Sequence, residues 1–386
     1  MKNIKPTLRG GAPLAALFSP LAAHYLANAR ELPWRADPTP YHVWLSEIML
    51  QQTRIEAVRP YYARFLESVP DISALAALPD DKLMKLWEGL GYYSRARNLK
   101  KAACRMVELH GGEMPATYEE IRALPGVGDY TAGAIASIVY GLPYPAVDGN
   151  VLRVLARLTA DEADVLLPET KKRMTAALQE VYLAAEKTDF TTHAPTQNAK
   201  IGVTSPAAIL TQGLMELGQT HCLPNAAPHC DACPLASLCR AYEEGRTEEL
   251  PHRSKAKPRR MEHRLILLLA DGEGRFALRR RPPEGLLAGL WELPSVLLQK
   301  EPSGSEILDT VSEFCDKNRL ICGETVTLPP ARHLFTHIAW HMVGCYVNVR
   351  SVGESELVFA TREELLDRYA LPSAFRAFLP YITGER

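Results

Sequence analysis

The stretch LPGVGDYTAGAIAS, Leu124–Ser137, decides the fold of the first part of the chain. Its pattern predicts a helix, a Gly-x-Gly turn and a second helix, because Gly126 and Gly128 permit backbone angles and close approaches that a side chain would block. The amides of such a turn, followed by a helix N-terminus, form a natural phosphate site. Gly-x-Gly alone also fits a plain helical turn, but the helices predicted on both sides favour a helix-hairpin-helix unit.

Around this hairpin, residues 15 to about 240 predict helices joined by short loops. Apolar spacing over Val43–Tyr61 predicts one helix that ends near Pro60. Asp80–Glu88 and Val151–Leu158 show similar spacing, and Thr117–Glu120 has the spacing of a capping box. The first part of the chain is therefore predicted to be all-α.

Two polar segments predict connections between packed elements. Residues 187–205 have no periodicity and predict an exposed loop. His252–Arg264 holds six Lys and Arg residues in thirteen positions, which predicts a basic linker. The linker either lies on a polyanion or is a solvated tether, and the sequence favours neither over the other.

Beyond the linker, the hydrophobic periodicity changes from helical to alternating. RLILLLADGEGRFALRRR, residues 264–281, predicts a β-hairpin around Asp-Gly-Glu-Gly. Further β-like runs occur near 324–328 and 338–349. These runs predict a second domain of α+β class.

Composition limits the class of protein. The 386 residues suggest two or three domains at roughly 150 residues each. The formal net charge of −1 argues against attraction of the whole molecule to nucleic acid or membrane, although a local basic face remains compatible with it. No apolar run approaches the ~20 residues of a membrane span. With no secretory signal pattern at the N-terminus, we expect a cytoplasmic protein.

Half of the eight cysteines fall within HCLPNAAPHCDACPLASLC, residues 221–239. A reducing compartment disfavours structural disulfides, so the cluster predicts a metal site. It contains a single Cys-x-x-Cys knuckle, and its spacing leaves zinc and iron–sulfur equally open. The remaining cysteines are predicted to be buried small residues: Cys104, Cys315, Cys322 and Cys345.

Four motifs taken together carry a family resemblance. They are VWLSEIMLQQTR (43–54), WEGLGYYSRARNL (87–99), LPGVGDYTAGA (124–134) and AVDGNVLRVLARL (146–158). Their order and approximate spacing resemble those of the MutY family of adenine DNA glycosylases, and the resemblance covers most of residues 30–300. It implies a helix-hairpin-helix glycosylase core followed by a [4Fe–4S] loop with Cys222, Cys230, Cys233 and Cys239 as ligands.

Glycosidic cleavage through an oxocarbenium-like transition state calls for two carboxylates in different roles. Glu47 lies in a largely apolar helical segment, where desolvation would raise its pKa and keep it a proton donor. The resemblance implies that it protonates an adenine ring nitrogen. By sequence alone, a surface glutamate of an amphipathic helix is equally compatible. Asp148 precedes a helix, which favours its ionised form as a stabiliser or nucleophile, as an N-cap, or as both.

The resemblance also assigns residues beside these carboxylates. Asn150 matches a residue that helps to hold the site, and Tyr130 matches a tyrosine beside the catalytic acid. In related bifunctional glycosylases a lysine at this point of the hairpin forms a Schiff base with the sugar. A phenol cannot do so, and we therefore expect base removal without lysine-driven strand cleavage.

Such chemistry requires the substrate base to leave the duplex. By resemblance, Gln52 and Tyr92 fill or wedge the base stack. The turn at Gly126 and Gly128 is predicted to bind a DNA phosphate through its backbone amides. An amide such as that of Gln212 can read adenine as donor and acceptor. Some of these side chains could equally be core residues, namely Trp34, Leu50 and Tyr92. The positions that match the adenine pocket are Trp34, Arg35, Leu50 and Gln212.

GLLAGLWELPS (285–295) and RHLFTHIAWHM (332–342) resemble the MutT-like C-terminal domain of this family. The paired carboxylates of a MutT-type hydrolase are missing from Glu306–Glu313, so we expect a base-reading domain. In the family a Phe-Ser-His loop recognises 8-oxoguanine, and this chain has Phe335, Thr336 and His337. The alternative is that Phe335 is a core residue and His337 a surface residue.

The cysteine loop departs from the family pattern. Its first gap, the seven residues LPNAAPH, is one residue longer than usual and contains no Lys or Arg. An added loop residue costs little entropy, so we still expect all four cysteines to be ligands. We do not expect this loop to hold DNA directly.

The combined prediction is a multidomain protein. An all-α glycosylase domain with its iron–sulfur loop covers residues 1–242, a basic linker 243–262, and an α+β MutT/Nudix-like domain 263–386. The expected activity is hydrolysis of the N-glycosidic bond of adenine opposite 8-oxoguanine or guanine in duplex DNA, by a bacterial-type monomer with no membrane partner. The alternatives are a DNA-binding module without catalysis, a nucleotide-pool hydrolase and a pyrimidine-directed glycosylase.

Overall fold

The computed structural model describes residues 6–188, 205–224, 226–254 and 258–384, and it divides into two units. Unit 1 comprises Met1–Ala77 and Asn98–Lys255, and unit 2 comprises Leu78–Arg97 and Ala256–Arg386. Unit 2 is therefore discontinuous in sequence. The predicted loop at 187–205 lies outside the described residues except for its first two positions and its last.

Unit 1 is helical, as predicted. Short 3-10 turns connect several of its helices, and no described helix is both long and apolar enough to cross a membrane. Among the helices in this part of the chain, α6 and the start of α7 belong to unit 2. The helices are α1 Phe18–Asn28, α2 Pro33–Ala36, α3 Pro40–Leu50, α4 Ile55–Ser68, α5 Ile72–Ala77, α6 Asp80–Leu86, α7 Ser94–His110, α8 Tyr118–Arg122, α9 Asp129–Tyr140, α10 Gly149–Thr159, α11 Pro168–Ala185, α12 Pro206–Thr220 and α13 Arg240–Glu243.

The core beneath the site forms around α10. The apolar spacing of this helix buries Val151 and Leu155, which belong to one cluster with Leu21 of α1, Leu178 of α11 and Leu214 of α12. Each of these side chains is at most 2% exposed. Full burial of such a side chain contributes about 1.5–3 kcal/mol, so the cluster fixes the helices that carry the polar residues described below.

The single helix predicted over Val43–Tyr61 is wrong, because α3 ends at Leu50 and α4 begins at Ile55. The break contains Gln52, whose φ of 56° is incompatible with a right-handed helix. Pro60 does not end α4 but lies inside it. A proline there removes one backbone hydrogen bond, and burial of Val58 and other apolar side chains of α4 compensates for the loss.

Unit 2 contains the predicted α+β fold. Its sheet has the order β3-β2-β1-β6-β5, with β4 paired to β1 and β7 paired to β2. The predicted hairpin corresponds to β1 and β2, and the runs near 324–328 and 338–349 lie in β5 and β6. The elements are β1 Arg260–Asp271, β2 Phe276–Arg280, β3 Trp291–Glu292, β4 Ser295–Leu298, α14 Gly304–Lys317, β5 Leu320–Leu334, β6 Ile338–Val352, β7 Val358–Ala360, α15 Arg362–Asp367 and α16 Leu379–Thr383.

The sheet is covered on both faces, which explains the continuous apolar run of β1. Leu265 and Leu267 face a cluster that includes Ile307 of α14, whereas Ile266 and Leu268 face a cluster that includes Phe375. Alternate strand residues point to opposite faces, and a central strand with two covered faces needs apolar residues at every position. β1 pairs in parallel with β6 and antiparallel with β2 and β4.

The basic segment His252–Arg264 is not a linker over its whole length, because β1 begins at Arg260. Arg264 binds the carboxylate of Glu262 at 3.0 Å and lies over the ring of Trp340 at 4.2 Å. The Arg264 guanidinium therefore makes contacts within unit 2. Glu306, in the segment predicted to lack the paired carboxylates of a MutT-type hydrolase, forms a capping box with Ser303 at the start of α14.

The predictions for the scattered cysteines are partly wrong. Cys315 and Cys345 are buried as expected, but Cys322 is only half-buried and Cys104 is exposed. Cys315 at the end of α14 and Cys322 in β5 form a disulfide, which the sequence analysis did not expect. The reason is local: the chain turns back between them, so that their Cα atoms lie 6.5 Å apart, within disulfide range.

Candidate active site

A cleft of about 970 Å³ in unit 1 brings most of the predicted site residues together. It lies where the ends of α2 and α3 face the hairpin before α9, the start of α10 and the middle of α12. No lysine is found among the described residues that line it. The predicted residues in its lining are Trp34, Arg35, Glu47, Leu50, Gln52, Gly126, Gly128, Tyr130, Asp148, Asn150 and Gln212.

The turn of the hairpin depends on a glycine at position 126. Gly126 has a φ of 76°, and a Cβ atom at this position would lie 2.5 Å from the Cβ of Asn98. Any side chain would therefore meet both backbone strain and a collision. Gly128 is the N-cap residue of α9, which places Tyr130 in the first turn of that helix, facing the cleft.

Glu47 is held inside the protein by its helix. α3 starts at Thr39, whose hydroxyl accepts a hydrogen bond from the amide of His42, and nearly every side chain of α3 is buried. Glu47 is only 7% exposed. The Tyr130 hydroxyl donates a hydrogen bond of 3.0 Å to Glu47 Oε2. The interpretation of Glu47 as a surface glutamate is therefore wrong.

Burial raises the pKa of Glu47 to about 7. The Tyr130 hydrogen bond opposes this shift, the charge of Asp148 adds to it, and the charge of Arg35 opposes it. Burial likewise raises the pKa of Tyr130 well above its usual value, so the phenol stays a donor. At neutral pH a large fraction of Glu47 is consequently protonated, as a proton donor requires.

Asp148 is the N-cap residue of α10, and its carboxylate is fully engaged. Its Oδ1 accepts hydrogen bonds from the amides of Asn150 at 2.9 Å and Val151 at 2.8 Å. Its Oδ2 accepts a bond of 2.8 Å from the Asn150 side-chain amide. Asp148 therefore caps α10 and also lines the cleft.

A chain of hydrogen bonds continues from this carboxylate to the cysteine loop. Arg153 of α10 donates to Asn150 Oδ1 at 3.0 Å, to the Gly218 carbonyl at 2.6 Å and to the Cys222 carbonyl at 2.8 Å. It is 2% exposed. The sequence analysis missed Arg153; its only signal was a cation within an apolar helical stretch.

Arg35 lines the cleft, as predicted for a pocket residue, and it also has a partner that the sequence did not indicate. Gln212 is 5% exposed and lines the cleft, but Arg35 forms a buried ion pair with Glu216, which lies one turn after Gln212 on α12. Glu216 also accepts a hydrogen bond of 3.0 Å from the Arg30 amide. The sequence analysis missed Glu216, although its i, i+4 spacing from Gln212 placed it on the same helix face.

The break between α3 and α4 forms part of the cleft wall. Gln51 Nε2 donates to Thr131 Oγ1 at 3.3 Å, which joins the break to α9. Gln52 is exposed and has left-handed backbone angles, a strained conformation that persists only where the surroundings enforce it. Gln51 and Thr131 were not predicted as site residues.

The remaining predicted base contacts lie in unit 2. Tyr92 is 45% exposed and is therefore not a core residue. Phe335, Thr336 and His337 form the turn between β5 and β6, in which Thr336 and His337 are exposed. Phe335 is half-buried, with its ring centroid 4.9 Å from that of Trp340. The loop thus combines an anchored aromatic with two accessible polar groups.

The four clustered cysteines line one small cavity beside α10. Arg157 donates from Nη1 to Cys222 Sγ at 3.3 Å, and Cys239 is buried. Within the described part of the chain, no group of three or more His, Cys, Asp or Glu side chains is arranged to hold a metal ion. Residues 230–232 and 236–238 form short 3-10 turns, which Cys233 and Cys239 follow directly.

Comparison with known families assigns the class. A protein-family model described as "HhH-GPD superfamily base excision DNA repair protein" matches residues 45–182, and a NUDIX domain family model matches residues 265–381. The first match contains Glu47, the hairpin and Asp148. Fold and site therefore define a helix-hairpin-helix DNA glycosylase of base excision repair with a Nudix-like C-terminal domain.

Individual relatives narrow this class. The adenine DNA glycosylase of Mus musculus is 33% identical over 384 residues, covering 85% of this chain and 69% of the relative. That of Schizosaccharomyces pombe is 32% identical, covering 82% of this chain and 78% of the relative. A solved thermostable thymine-DNA glycosylase is 24% identical with a TM-score of 0.47, covering 59% of this chain and 96% of its own. The chain belongs to the adenine DNA glycosylase family.

Proposed function

We propose that this protein hydrolyses the N-glycosidic bond of adenine paired with 8-oxoguanine, and less rapidly with guanine, in duplex DNA. The observation that carries the proposal is the pair of carboxylates in one cleft. Glu47 is buried with a pKa raised to about 7, whereas the Asp148 carboxylate accepts three hydrogen bonds at the start of α10. Glycosidic cleavage uses two carboxyl groups in different roles, one as proton donor and one as stabiliser of the sugar cation.

In this mechanism the adenine leaves the base stack and enters the cleft, where the buried amide of Gln212 can bind its edge. Glu47 gives its proton to an adenine ring nitrogen as the bond between the sugar C1′ and the base breaks. The electrons of that bond leave with the base, which departs as neutral adenine. Tyr130 stays protonated and holds the Glu47 carboxyl in place.

Positive charge then develops on the sugar ring, and Asp148 stabilises it electrostatically. Water adds to C1′ and releases a proton that restores Glu47. The product is an abasic site with an intact strand, because no lysine lines the cleft among the described residues to form a Schiff base. This supports a monofunctional glycosylase.

The turn Phe335–His337 is the proposed reader of the opposite base. Thr336 and His337 are exposed at the tip of a hairpin. The Phe335 amide donates a hydrogen bond of 2.8 Å to the Ile338 carbonyl and closes this hairpin. Threonine keeps the hydroxyl of the serine that the family uses and adds a methyl group. The helix that would carry hydrolytic carboxylates in a MutT-type enzyme instead uses Glu306 for its cap, which disfavours nucleotide hydrolysis.

The test uses the full chain on duplexes with adenine opposite 8-oxoguanine, guanine or cytosine under single-turnover conditions. We expect the fastest excision opposite 8-oxoguanine, and strand breaks only after alkali. Borohydride should trap no covalent adduct. Excision of a pyrimidine in place of adenine, or a trapped amine adduct, would refute the proposal.

Replacing Tyr130 with phenylalanine should move the pH profile to higher pH. The hydrogen bond from Tyr130 lowers the pKa of Glu47, so its loss raises that pKa further above about 7. The acid acts in its protonated form, and the alkaline limb of kcat/KM follows its titration in the free enzyme. Tyr140→Phe is the matched control, because its hydroxyl binds the Met114 carbonyl outside the cleft. An unshifted limb in Tyr130→Phe would contradict the assignment of Glu47 as the acid.

We further propose that Cys222, Cys230, Cys233 and Cys239 bind a [4Fe–4S] cluster. The donor set fits: four thiols line one cavity, and Arg157 supplies a donor to Cys222 Sγ, as cluster sulfurs commonly accept. A cluster places iron and sulfide between its ligands, so the cysteines need not meet around a single ion. When bound, it would cross-link the chain between the end of α12 and the start of α13.

Purified protein should therefore contain about four iron atoms per chain and absorb broadly in the visible range. Cys233→Ser should lose iron and lower the melting temperature, whereas Cys104→Ser, which changes an exposed cysteine in α7, should do neither. Stoichiometric zinc without iron would overturn the cluster assignment while leaving the four-cysteine site intact.

A further inference from the structure

The segment Leu78–Arg97 has a location that its sequence does not reveal. It falls within the residues that match the base excision repair family model, yet it belongs to unit 2. The segment consists of α6, a turn over residues 87–93 and the first residues of α7. Unit 2 therefore carries both this turn and the Phe335–His337 turn.

The turn is strained and exposes an aromatic ring. Gly89, Gly91 and Tyr92 have φ values of 95°, 70° and 47°. A left-handed tyrosine costs roughly 1–2 kcal/mol and persists only when its surroundings enforce it. Its ring, 45% exposed, is thus held where it can stack on a flat group such as a nucleobase.

Two side chains fix the turn from within. Trp87 Nε1 donates to the Gly91 carbonyl at 3.1 Å, and Arg95 Nη2 donates to the carbonyls of Leu90 and Gly91, each at 3.1 Å. The Arg95 guanidinium also lies over the rings of Trp87 and Tyr92. These contacts explain why the turn is rigid, but they do not fix its position within unit 2.

Two other residues, one at the start of the turn and one beyond its end, fix that position. The Glu88 carboxylate accepts a hydrogen bond of 2.7 Å from the Leu371 amide and pairs with Lys85 at 2.6 Å. Arg97 Nη1 donates to the Ala288 carbonyl at 2.7 Å. Charged groups make stronger hydrogen bonds than neutral ones, and these two hold the turn at both of its ends.

The Tyr92 hydroxyl itself is 3.2 Å from Thr336 Oγ1, so ring and loop are in contact. We propose that Glu88 and Arg97 are positioning residues for recognition of the base opposite the excised adenine. They hold the Tyr92 turn against the Phe335–His337 turn, so that the two act as one preformed surface. This inference rests on the proposed function. Neither residue touches the acid or the sugar, so their effect should fall on discrimination between opposite bases.

The experiment compares the double variant Glu88→Ala/Arg97→Met with the conservative double variant Glu88→Gln/Arg97→Lys, which keeps an acceptor and a donor. Single-turnover excision is measured opposite 8-oxoguanine and opposite guanine, with hydrogen exchange of residues 89–92 in the free protein. For Glu88→Ala/Arg97→Met we expect about a tenfold lower ratio of the two rates, a rate opposite guanine within about twofold of wild type, and faster exchange. The conservative variant should restore the ratio.

Three results would overturn the inference. One is an unchanged ratio despite faster exchange. Another is an equal fall of both rates with a lower melting temperature, which indicates a structural role alone. A third is failure of the conservative variant to restore the ratio. Wild-type protein that excises no adenine would instead show that the proposed function itself has failed, and the inference with it.

Discussion

Glu47→Gln should reduce the excision rate by roughly 10³–10⁴-fold while leaving the affinity for substrate duplex within about threefold of wild type. Glutamine fills the same volume and accepts the Tyr130 hydrogen bond, but it has no acidic proton to give to the leaving base. Single-turnover excision and equilibrium DNA binding separate the two effects. Glu67→Gln, an exposed position on α4, is the control and should leave both unchanged. Retained excision by Glu47→Gln would disprove the role of Glu47 as general acid.

The same substitution should change how stability depends on pH. The pKa of Glu47 is about 7 in the folded chain and 4.5 in the unfolded chain. Between these values the folded chain holds a proton that the unfolded chain has lost, so the free energy of unfolding falls as pH rises. The full effect is at most roughly 3 kcal/mol. Urea unfolding should show this decline in the wild type and a weaker decline in Glu47→Gln.

Asp148→Asn should lower the excision rate by about 10²–10³-fold with little loss of stability. Asparagine is as good an N-cap as aspartate, and its oxygen can still accept from the amides of Asn150 and Val151. The negative charge, however, is gone. The new amide nitrogen would face the Asn150 side-chain donor and lose that hydrogen bond, which should cost about 1 kcal/mol of stability.

The control for this substitution is Asp71→Asn, which changes an aspartate that accepts from the Ala74 amide outside the cleft. It should leave excision unchanged. If Asp148→Asn remains fully active, Asp148 serves only as a cap and the charge that stabilises the sugar must come from elsewhere. Activity lost in parallel with several kcal/mol of stability would also remove the catalytic interpretation.

The sequence predicted those parts of the site that depend on local pattern. Gly126 and Gly128 predicted the hairpin, and Asp148 before an apolar helix predicted the cap. Only Gly126 has to be glycine, because Gly128 has extended backbone angles and open space at its Cβ position. Glu47 could not be placed by pattern alone, because its helix is buried on nearly all sides and has little amphipathic contrast. Its burial depends on neighbours distant in sequence.

Pairings over long distances were not predictable from local pattern. Arg35 with Glu216, and Arg153 with the Cys222 carbonyl, join residues about 180 and 70 positions apart. The break at Gln52 was missed for a related reason, since the apolar spacing continues through it. The grouping of Leu78–Arg97 with unit 2 depends on contacts such as that of Glu88 with Leu371 and has no local signal.

That discontinuous grouping has a consequence for synthesis of the protein. Glu88 leaves the ribosome 283 residues before Leu371, a delay of roughly 15–60 s at ordinary translation rates. During this interval α6 and the Tyr92 turn lack the later residues of unit 2 with which they make hydrogen bonds. A nascent chain halted before Ala288 should therefore be sensitive to protease within residues 78–97, and only the finished chain should protect this segment.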